Sequence, residues 1–143
     1  MLSLAGCCFF VAGCMKGKSV VYDLDAPSVT LVGTLTVESH HGPPDYGETP
    51  ETDAIERPYI LVLDRPVTVV GDTAAAIGAD NPGTISRIKV SKVQLAGVLY
   101  CDPTKNLVGK RIQATGRLFP RHTGHHYTRI LMDVDVNGVK EIE

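Results

Sequence analysis

Three histidines fall within five residues of one another in the last quarter of the chain. They belong to the stretch RHTGHHYTR, from Arg121 to Arg129, and a second pair of histidines, His40 and His41, lies far upstream. Imidazole binds divalent transition metals and also serves as an acid or base near neutral pH. The spacing therefore raises two kinds of chemistry, metal binding and proton transfer, beside the plainer interpretation of a polar loop.

A metal site needs three or four nitrogen, sulfur or oxygen ligands around one ion. Histidines on one turn can converge on such an ion, which makes His122, His125 and His126 candidate ligands for zinc or another divalent transition metal. His40 and His41 could complete the site if the two clusters face each other. The competing interpretation is that these imidazoles hydrogen-bond to nearby hydroxyl and carbonyl groups and only fix a tight turn.

Catalysis would need a more complete set of groups, such as a nucleophile with a base that a third residue orients. The sequence offers no such set and no convincing pair of catalytic carboxylates. Ser86 and Lys89 form an S-x-x-K string, but they lie in an alternating strand pattern without the other motifs of penicillin-recognising enzymes. We therefore expect no enzymatic activity.

The composition favours one globular domain. The chain has 143 residues, of which 43% are hydrophobic and 21% are charged, and this length suits one compact core rather than two. Fourteen basic and sixteen acidic side chains give a formal net charge of −2. Such a chain offers no broad cationic surface for a phosphate backbone, so we expect no nucleic-acid partner.

The N-terminal residues have the composition of an export signal. Residues 1–13 read MLSLAGCCFFVAG and carry no charge, and the polar stretch CMKGK follows. This run is shorter than the roughly 20 residues that span a bilayer, but it matches the apolar core of a secretory signal. VAGC resembles a lipoprotein signal box, so we predict that Cys14 is lipidated and anchors the chain to the membrane.

Two alternatives accompany this signal. The basic residues that normally open such a signal are missing, so we expect either a true start upstream of Met1 or a clipped N-terminus. The competing interpretation of the whole segment is an ordinary buried strand or helix, in which three cysteines within eight residues would be unusual.

Beyond Lys18 the hydrophobic pattern is that of β-strands. Alternating apolar residues predict a strand over 29–37 with a bend or bulge at Gly33, and Pro66 is expected to divide the next apolar run into two short strands. ISRIKVSKVQLAGV predicts a further strand with a bulge near Ser91, and CDPTKNL predicts one helical turn.

Two more strands are predicted from clean alternation in GKRIQATGRLF and RILMDVDVNGV. In the second, Val136 is expected to point inward, and Asn137-Gly138 is expected to turn the chain back into a short final strand.

The order of these elements is that of the OB barrel. We therefore predict an all-β fold, a small OB-like barrel of five to six strands over residues 28–143, after a signal over 1–13 and an anchor and linker over 14–27. A β-sandwich is the alternative for about five short strands. In an OB barrel the first-to-second and fourth-to-fifth strand loops contribute to the binding surface, and both histidine clusters fall in those loops.

The two loops also differ in charge. Five carboxylates lie between His41 and Arg57, whereas arginines flank the second histidine cluster, so we expect the loops to pair across the barrel mouth. The predicted binding rim for an envelope protein, a peptide or a glycan consists of Tyr46, Arg121, Tyr127 and Arg129.

Five stretches of the chain match a known family pattern. They are VTLVGTL at residues 29–35, GPPDY at 42–46, LVLDRPV at 61–67, VQL at 93–95 and GKRIQATGRLFPRHTGHHYTRILM at 109–132. In these stretches the chain resembles a family of bacterial envelope domains of unknown function, usually preceded by a signal or lipoprotein signal. The resemblance implies an OB-like β-domain in the periplasm or on the membrane, and it implies no activity.

These observations predict a non-catalytic lipoprotein domain on the periplasmic side of the bacterial cell envelope. It would bind a partner or ligand through its histidine-rich rim. The alternative is a periplasmic divalent-metal-binding protein that uses His122, His125 and His126.

Overall fold

The computed structural model describes residues 19–72, 85–97 and 102–143, without the side chains of residues 85, 86, 102 and 103. The described strands are β1 (Val21–Asp23), β2 (Val29–Val37), β3 (His40–His41), β4 (Ile55–Glu56), β5 (Tyr59–Asp72), β6 (Ile85–Gly97), β7 (Arg111–Pro120) and β8 (Ile130–Glu141). The predicted helical turn is a 3-10 helix over Asp102–Leu107. The predicted signal and its Cys14 lie outside the described residues. Among the residues that are described, no helix has the length and apolar character to cross a membrane.

Five strands pair into one ring. β2 lies antiparallel between β5 and β7, β5 continues to β6, and β7 continues to β8. The parallel pairing of β6 with β8 closes the ring, and β1 adds a sixth strand beside β5. One continuous sheet with the short helix between its third and fourth ring strands confirms the all-β, OB-like prediction, whereas a sandwich would need two facing sheets.

The inward faces of the five ring strands form the core. Leu35, Leu61, Val93, Ile112 and Met132 are completely buried, one from each ring strand. Each such side chain contributes about 1.5–3 kcal/mol through burial of apolar surface. The alternation seen in the sequence therefore fixes which face of each strand lies inside.

Gly33 lies where β2 changes neighbours, because it pairs with Leu63 of β5 and with Ile112 of β7. A Cβ atom at this position would collide with the carbonyl oxygen of Val62. The predicted special role of this glycine is thus explained by close approach of two backbones at a bend of the barrel.

Two predicted strand breaks are wrong. β5 continues through Pro66 without a break. Its pairing with β6 shifts in register between Val62 and Val67, so the proline lies in a bulge. This bulge is opposite Ser91 of β6, where the sequence predicts an irregularity. β8 likewise continues past Asn137, whose φ of 59° belongs to a bulge within the strand rather than to a hairpin turn. Because this bulge changes the parity, Val136 points outward and is 76% exposed.

Gly33→Ala should lower the free energy of unfolding by about 1–3 kcal/mol, because the added methyl group forces β2 away from β5. Urea denaturation followed by circular dichroism measures this loss. Thr34→Ala, at the neighbouring half-buried position, is the control and should cost clearly less. Equal stability of Gly33→Ala and the unaltered chain would contradict the close approach.

Candidate functional site

The long loop between β2 and β5, residues 38–58, folds on itself and is called the acidic loop below. β3 and β4 form a small hairpin within it, with His40 opposite Glu56. The Asp53 carboxylate accepts hydrogen bonds from the backbone N–H groups of Asp45 (2.9 Å) and Gly47 (2.5 Å). These bonds hold the turn in which Tyr46, 43% exposed, takes a positive φ of 52°. The loop is therefore shaped by its own contacts.

The histidine loop, residues 121–129, connects β7 to β8. Its neck is closed by a hydrogen bond from the Arg121 N–H to the Arg129 carbonyl (3.0 Å). The buried side chain of Gln94, on β6, donates from Nε2 to the His125 carbonyl (3.0 Å) and accepts at Oε1 from the Tyr127 N–H (2.7 Å). One amide thus satisfies two backbone groups of the loop and fastens it to the barrel.

A single carboxylate joins the two loops. Glu56 of the acidic loop accepts at Oε1 from His125 Nδ1 (2.6 Å) and at Oε2 from the Tyr127 hydroxyl (2.5 Å). Gly42 leaves the space for this side chain, since a Cβ there would lie 2.7 Å from Cγ of Glu56. The predicted meeting of the acidic and histidine loops is therefore confirmed, through Glu56.

Ring contacts extend this junction. His40 stacks on Tyr127 with ring centroids 4.0 Å apart and planes 15° apart. The Tyr46 hydroxyl lies 3.3 Å from Nε2 of His125, and the Tyr46 ring packs so tightly on Gly124 that a Cβ there would come within 2.7 Å of it. Aromatic pairs of this kind contribute roughly 0.5–1.5 kcal/mol beyond area burial.

His125 lies between a carboxylate and a phenol. Nδ1 donates to Glu56, so in the neutral ring Nε2 is the acceptor and the Tyr46 hydroxyl the donor. Burial, followed by the hydrogen bond to Glu56, raises the pKa of Tyr127 well above its usual value. Tyr127 therefore stays protonated and continues to donate to the carboxylate.

His122 and His126 form a separate pair on the other side of the loop. The backbone N–H of His122 donates to Nδ1 of His126 (3.1 Å), and Nδ1 of His122 lies 3.2 Å from the Pro120 carbonyl oxygen. The two rings meet edge to face at 4.6 Å, and Phe119 supports both. Burial, and then the charges of His122 and His125, lower the pKa of His126. Neutral His126 accepts at Nδ1 and so carries its proton on Nε2.

The two loops enclose an open groove of about 990 Å³. It is called the rim groove below, and its lining residues are Ser39, His40, His41, Tyr46, Gly47, Arg121, His122, Thr123, Gly124, His126 and Tyr127. Most of the predicted site residues line it. His125 and Arg129 do not: His125 is turned toward Glu56 at the junction, and Arg129 is exposed outside the groove.

The histidines do not gather around one point. Within the described parts of the chain, no three His, Cys, Asp or Glu side chains are placed so that they could hold a metal ion together. His125 is occupied by Glu56 and Tyr46, and Nδ1 of His126 by the backbone of His122. Four of the five predicted metal ligands therefore divide among a junction, a ring pair and a stacked ring, and His41 is exposed in the lining of the rim groove.

The expected ion pairs from Arg121 and Arg129 to the acidic loop are also not formed among the described residues. The carboxylate that crosses between the loops is that of Glu56, and its partners are His125 and Tyr127. The sequence analysis did not predict that Glu56 and Gln94 belong to the site. Gln94 has a visible signal, a lone polar residue within the apolar stretch VQLAGV, whereas nothing in the sequence distinguishes Glu56 from the other five carboxylates of the acidic loop.

Gln94→Met should destabilise the chain by about 1–3 kcal/mol, because a backbone N–H and a carbonyl of the histidine loop lose their buried partner. Hydrogen exchange at the Tyr127 amide should speed up in the same variant. Gln113→Met, at a half-buried glutamine of β7, is the matched control and should leave that amide protected. Unchanged exchange at Tyr127 in Gln94→Met would show that the amide does not hold the loop.

Comparison with known families covers the last third of the chain. A family model described as a domain of unknown function, DUF4431, matches residues 92–143, a stretch that includes Gln94 and the whole histidine loop. No curated protein matches the chain closely enough to count as a relative. The match agrees with the predicted resemblance to a family of unknown function, and it is limited to residues 92–143.

Proposed function

We propose that the chain is a non-catalytic binding domain of the bacterial cell envelope that holds a ligand or partner in the rim groove. The observation that supports this most is that the chain's own side chains hold the walls of the groove in place. Glu56 joins the two loops, and Gln94 holds one of them to the barrel. A surface whose loops are already ordered loses less conformational entropy on binding, and this favours affinity.

The same contacts support binding over catalysis. His125, placed between a carboxylate and a hydroxyl, resembles the central member of a catalytic triad in its order of contacts. The hydroxyl is however the phenol of Tyr46, whose ring also packs edge-on against the imidazole at 5.7 Å. His125 is also not among the residues that line the rim groove. Its role in the proposal is to hold Tyr46 and Glu56 together.

The alternative function, divalent-metal binding by His122, His125 and His126, has less support. Two of these rings already use Nδ1 within the loop and at its junction, His126 toward a backbone N–H and His125 toward Glu56. A metal on Nε2 of His125 would displace the Tyr46 hydroxyl. A metal on Nε2 of His126 would need the other tautomer, which loses the hydrogen bond from the His122 backbone. The binding proposal needs no such rearrangement.

Binding can be tested with two tryptophan substitutions on the histidine loop. Thr123→Trp places a large ring in the rim groove, whereas Arg129→Trp places the same ring on the same loop outside it. The purified full-length chain, kept in detergent and labelled with ¹⁵N, is mixed with protein, peptide and glycan fractions of a bacterial envelope extract. We expect one fraction to shift the amide signals of Ser39 and Gly47 in the Arg129→Trp variant but not in Thr123→Trp.

Two results would contradict binding in the rim groove. Equal responses of Thr123→Trp and Arg129→Trp would place binding elsewhere on the surface. Failure of every fraction to shift the rim-groove signals of the unaltered chain would count against a binding role for this groove.

For the location we propose a lipid anchor on Cys14 and residence on the periplasmic side of the membrane. The support is the apolar run of residues 1–13 followed by the VAGC box. Mass spectrometry of the membrane fraction should find Cys14 acylated, and Cys14→Ser should move the chain to the soluble fraction, with Cys101→Ser as the control. An unmodified Cys14 in chain extracted from the membrane would refute the anchor.

A further inference from the structure

We propose that the ligand of the rim groove is an organic oxyanion, a molecule with a carboxylate or phosphate group, and that Arg121 is its principal charged contact. This inference rests on the proposed binding function of the groove. It adds the chemical class of the ligand, which neither the sequence motifs nor the family match assigns.

Several of the side chains that line the rim groove carry hydrogen-bond donors. Arg121 supplies a guanidinium group with five N–H donors, and Ser39 and Thr123 supply hydroxyl groups. His126 supplies a further N–H donor, because its Nδ1 accepts from the His122 backbone and its ring proton is therefore on Nε2. A carboxylate or phosphate has only acceptors to offer at neutral pH, so it complements this lining better than a neutral or cationic group.

The rim groove has no carboxylate among the described residues that line it. Two carboxylates, those of Glu38 and Glu56, bond to residues that line the groove, and both already have partners. Glu38 pairs with Lys92 (2.6 Å) and with His40 (3.2 Å), and the hydrogen bond from Lys92 is the main cause that lowers the pKa of Glu38. Both carboxylate oxygens of Glu56 accept hydrogen bonds from the histidine loop.

The remaining carboxylates of the acidic loop face their own turn or the solvent. Asp53 accepts hydrogen bonds from two backbone N–H groups, and Asp45 accepts one from the hydroxyl of Thr49. Glu48 and Glu51 are exposed and do not line the groove. Charges in water are screened over about 8 Å at physiological ionic strength, so a group inside the groove interacts most strongly with Arg121 and the lining donors.

The size of the rim groove points to an organic molecule rather than a free inorganic ion. About 990 Å³ is at the upper end of the usual range for small-molecule sites. The rings of Tyr46 and Tyr127 form part of the wall and offer flat apolar surface beside the donors. A ligand that fills the space would place its oxyanion on Arg121 and its carbon skeleton against these rings.

The experiment uses the ¹⁵N-labelled full-length chain in detergent and three probes at constant ionic strength: citrate, its neutral trimethyl ester and inorganic phosphate. We expect citrate to shift the rim-groove amides of Ser39, Gly47 and Thr123 and the ester to shift them far less. Phosphate and citrate together distinguish the two anion sources, since the better anion identifies the group that the groove prefers. Arg121→Gln should weaken the binding of the better anion about tenfold, as expected for loss of one charged hydrogen-bonding partner.

Arg129→Gln is the matched control, because it removes the same charge from the same loop outside the rim groove. It should leave the affinity unchanged within a factor of about two, whereas a general attraction of anions to the loop would weaken equally in both variants. Arg121→Gln keeps the backbone hydrogen bond to the Arg129 carbonyl, and an unchanged melting temperature confirms that it folds. Equal binding of citrate and its ester, or equal losses in the two variants, would overturn the oxyanion assignment.

A competition arm separates this inference from the binding proposal itself. If an envelope fraction shifts the rim-groove amides and excess citrate or phosphate does not displace it, the groove binds a ligand of another class and only the oxyanion assignment fails. If neither the envelope fractions nor the anions shift the amide signals of the rim groove, both proposals fail.

Discussion

The carboxylate of Glu56 accepts one hydrogen bond from His125 and one from Tyr127, and through them it ties the acidic loop to the histidine loop. Each loop has its own internal bonds and is attached to the barrel, and the contacts at this junction hold the two loops against each other. Tyr127 is fixed from both sides, since its ring stacks on His40 and its hydroxyl is held by the carboxylate. With the two loops held in this way, side chains of the acidic loop face side chains of the histidine loop across the rim groove.

The barrel determines where this junction lies. Antiparallel pairing of β2 with β5 brings the two ends of the acidic loop together, and antiparallel pairing of β7 with β8 does the same for the histidine loop. β6 lies between the two loop bases, because Gln94 pairs with Ile60 of β5 on one side and with Leu131 of β8 on the other. Gln94 is thus directly beneath the histidine loop. A polar side chain at that position costs little, since the loop supplies both of its hydrogen-bond partners.

Much of this architecture follows from periodicity in the sequence. The alternation in GKRIQATGRLF and VTLVGTLTV identifies the inward faces, and the order of strands, loops and helical turn identifies an OB-like barrel with both histidine clusters at one end. The signals at Pro66 and Asn137 were misleading because a proline or an Asn-Gly pair marks a bulge as well as a break. Only the neighbouring strand, which continues beside each bulge, distinguishes the two.

The site was less predictable, because side-chain partners depend on loop conformation that no short pattern encodes. Adjacent His125 and His126 point to opposite sides of the loop, one to the junction and one to the rim groove. The sequence predicts His122, His125 and His126 as one set of ligands that His40 and His41 could complete, and the structure gives these residues different roles. Glu56 is one of six carboxylates in the acidic loop, and it reaches the junction because a hairpin of two residues on each side places it opposite His40.

The central claim is that the acidic and histidine loops are held together in the free protein. Tyr46 and Gly124 are the most direct reporters, since a Cβ on Gly124 would come within 2.7 Å of the Tyr46 ring. A nuclear Overhauser measurement between the Tyr46 ring protons and the Gly124 α protons, made on the full-length chain without ligand, tests this contact. A strong cross-peak is predicted, and its absence, with sharp separate signals for both residues, would contradict the account.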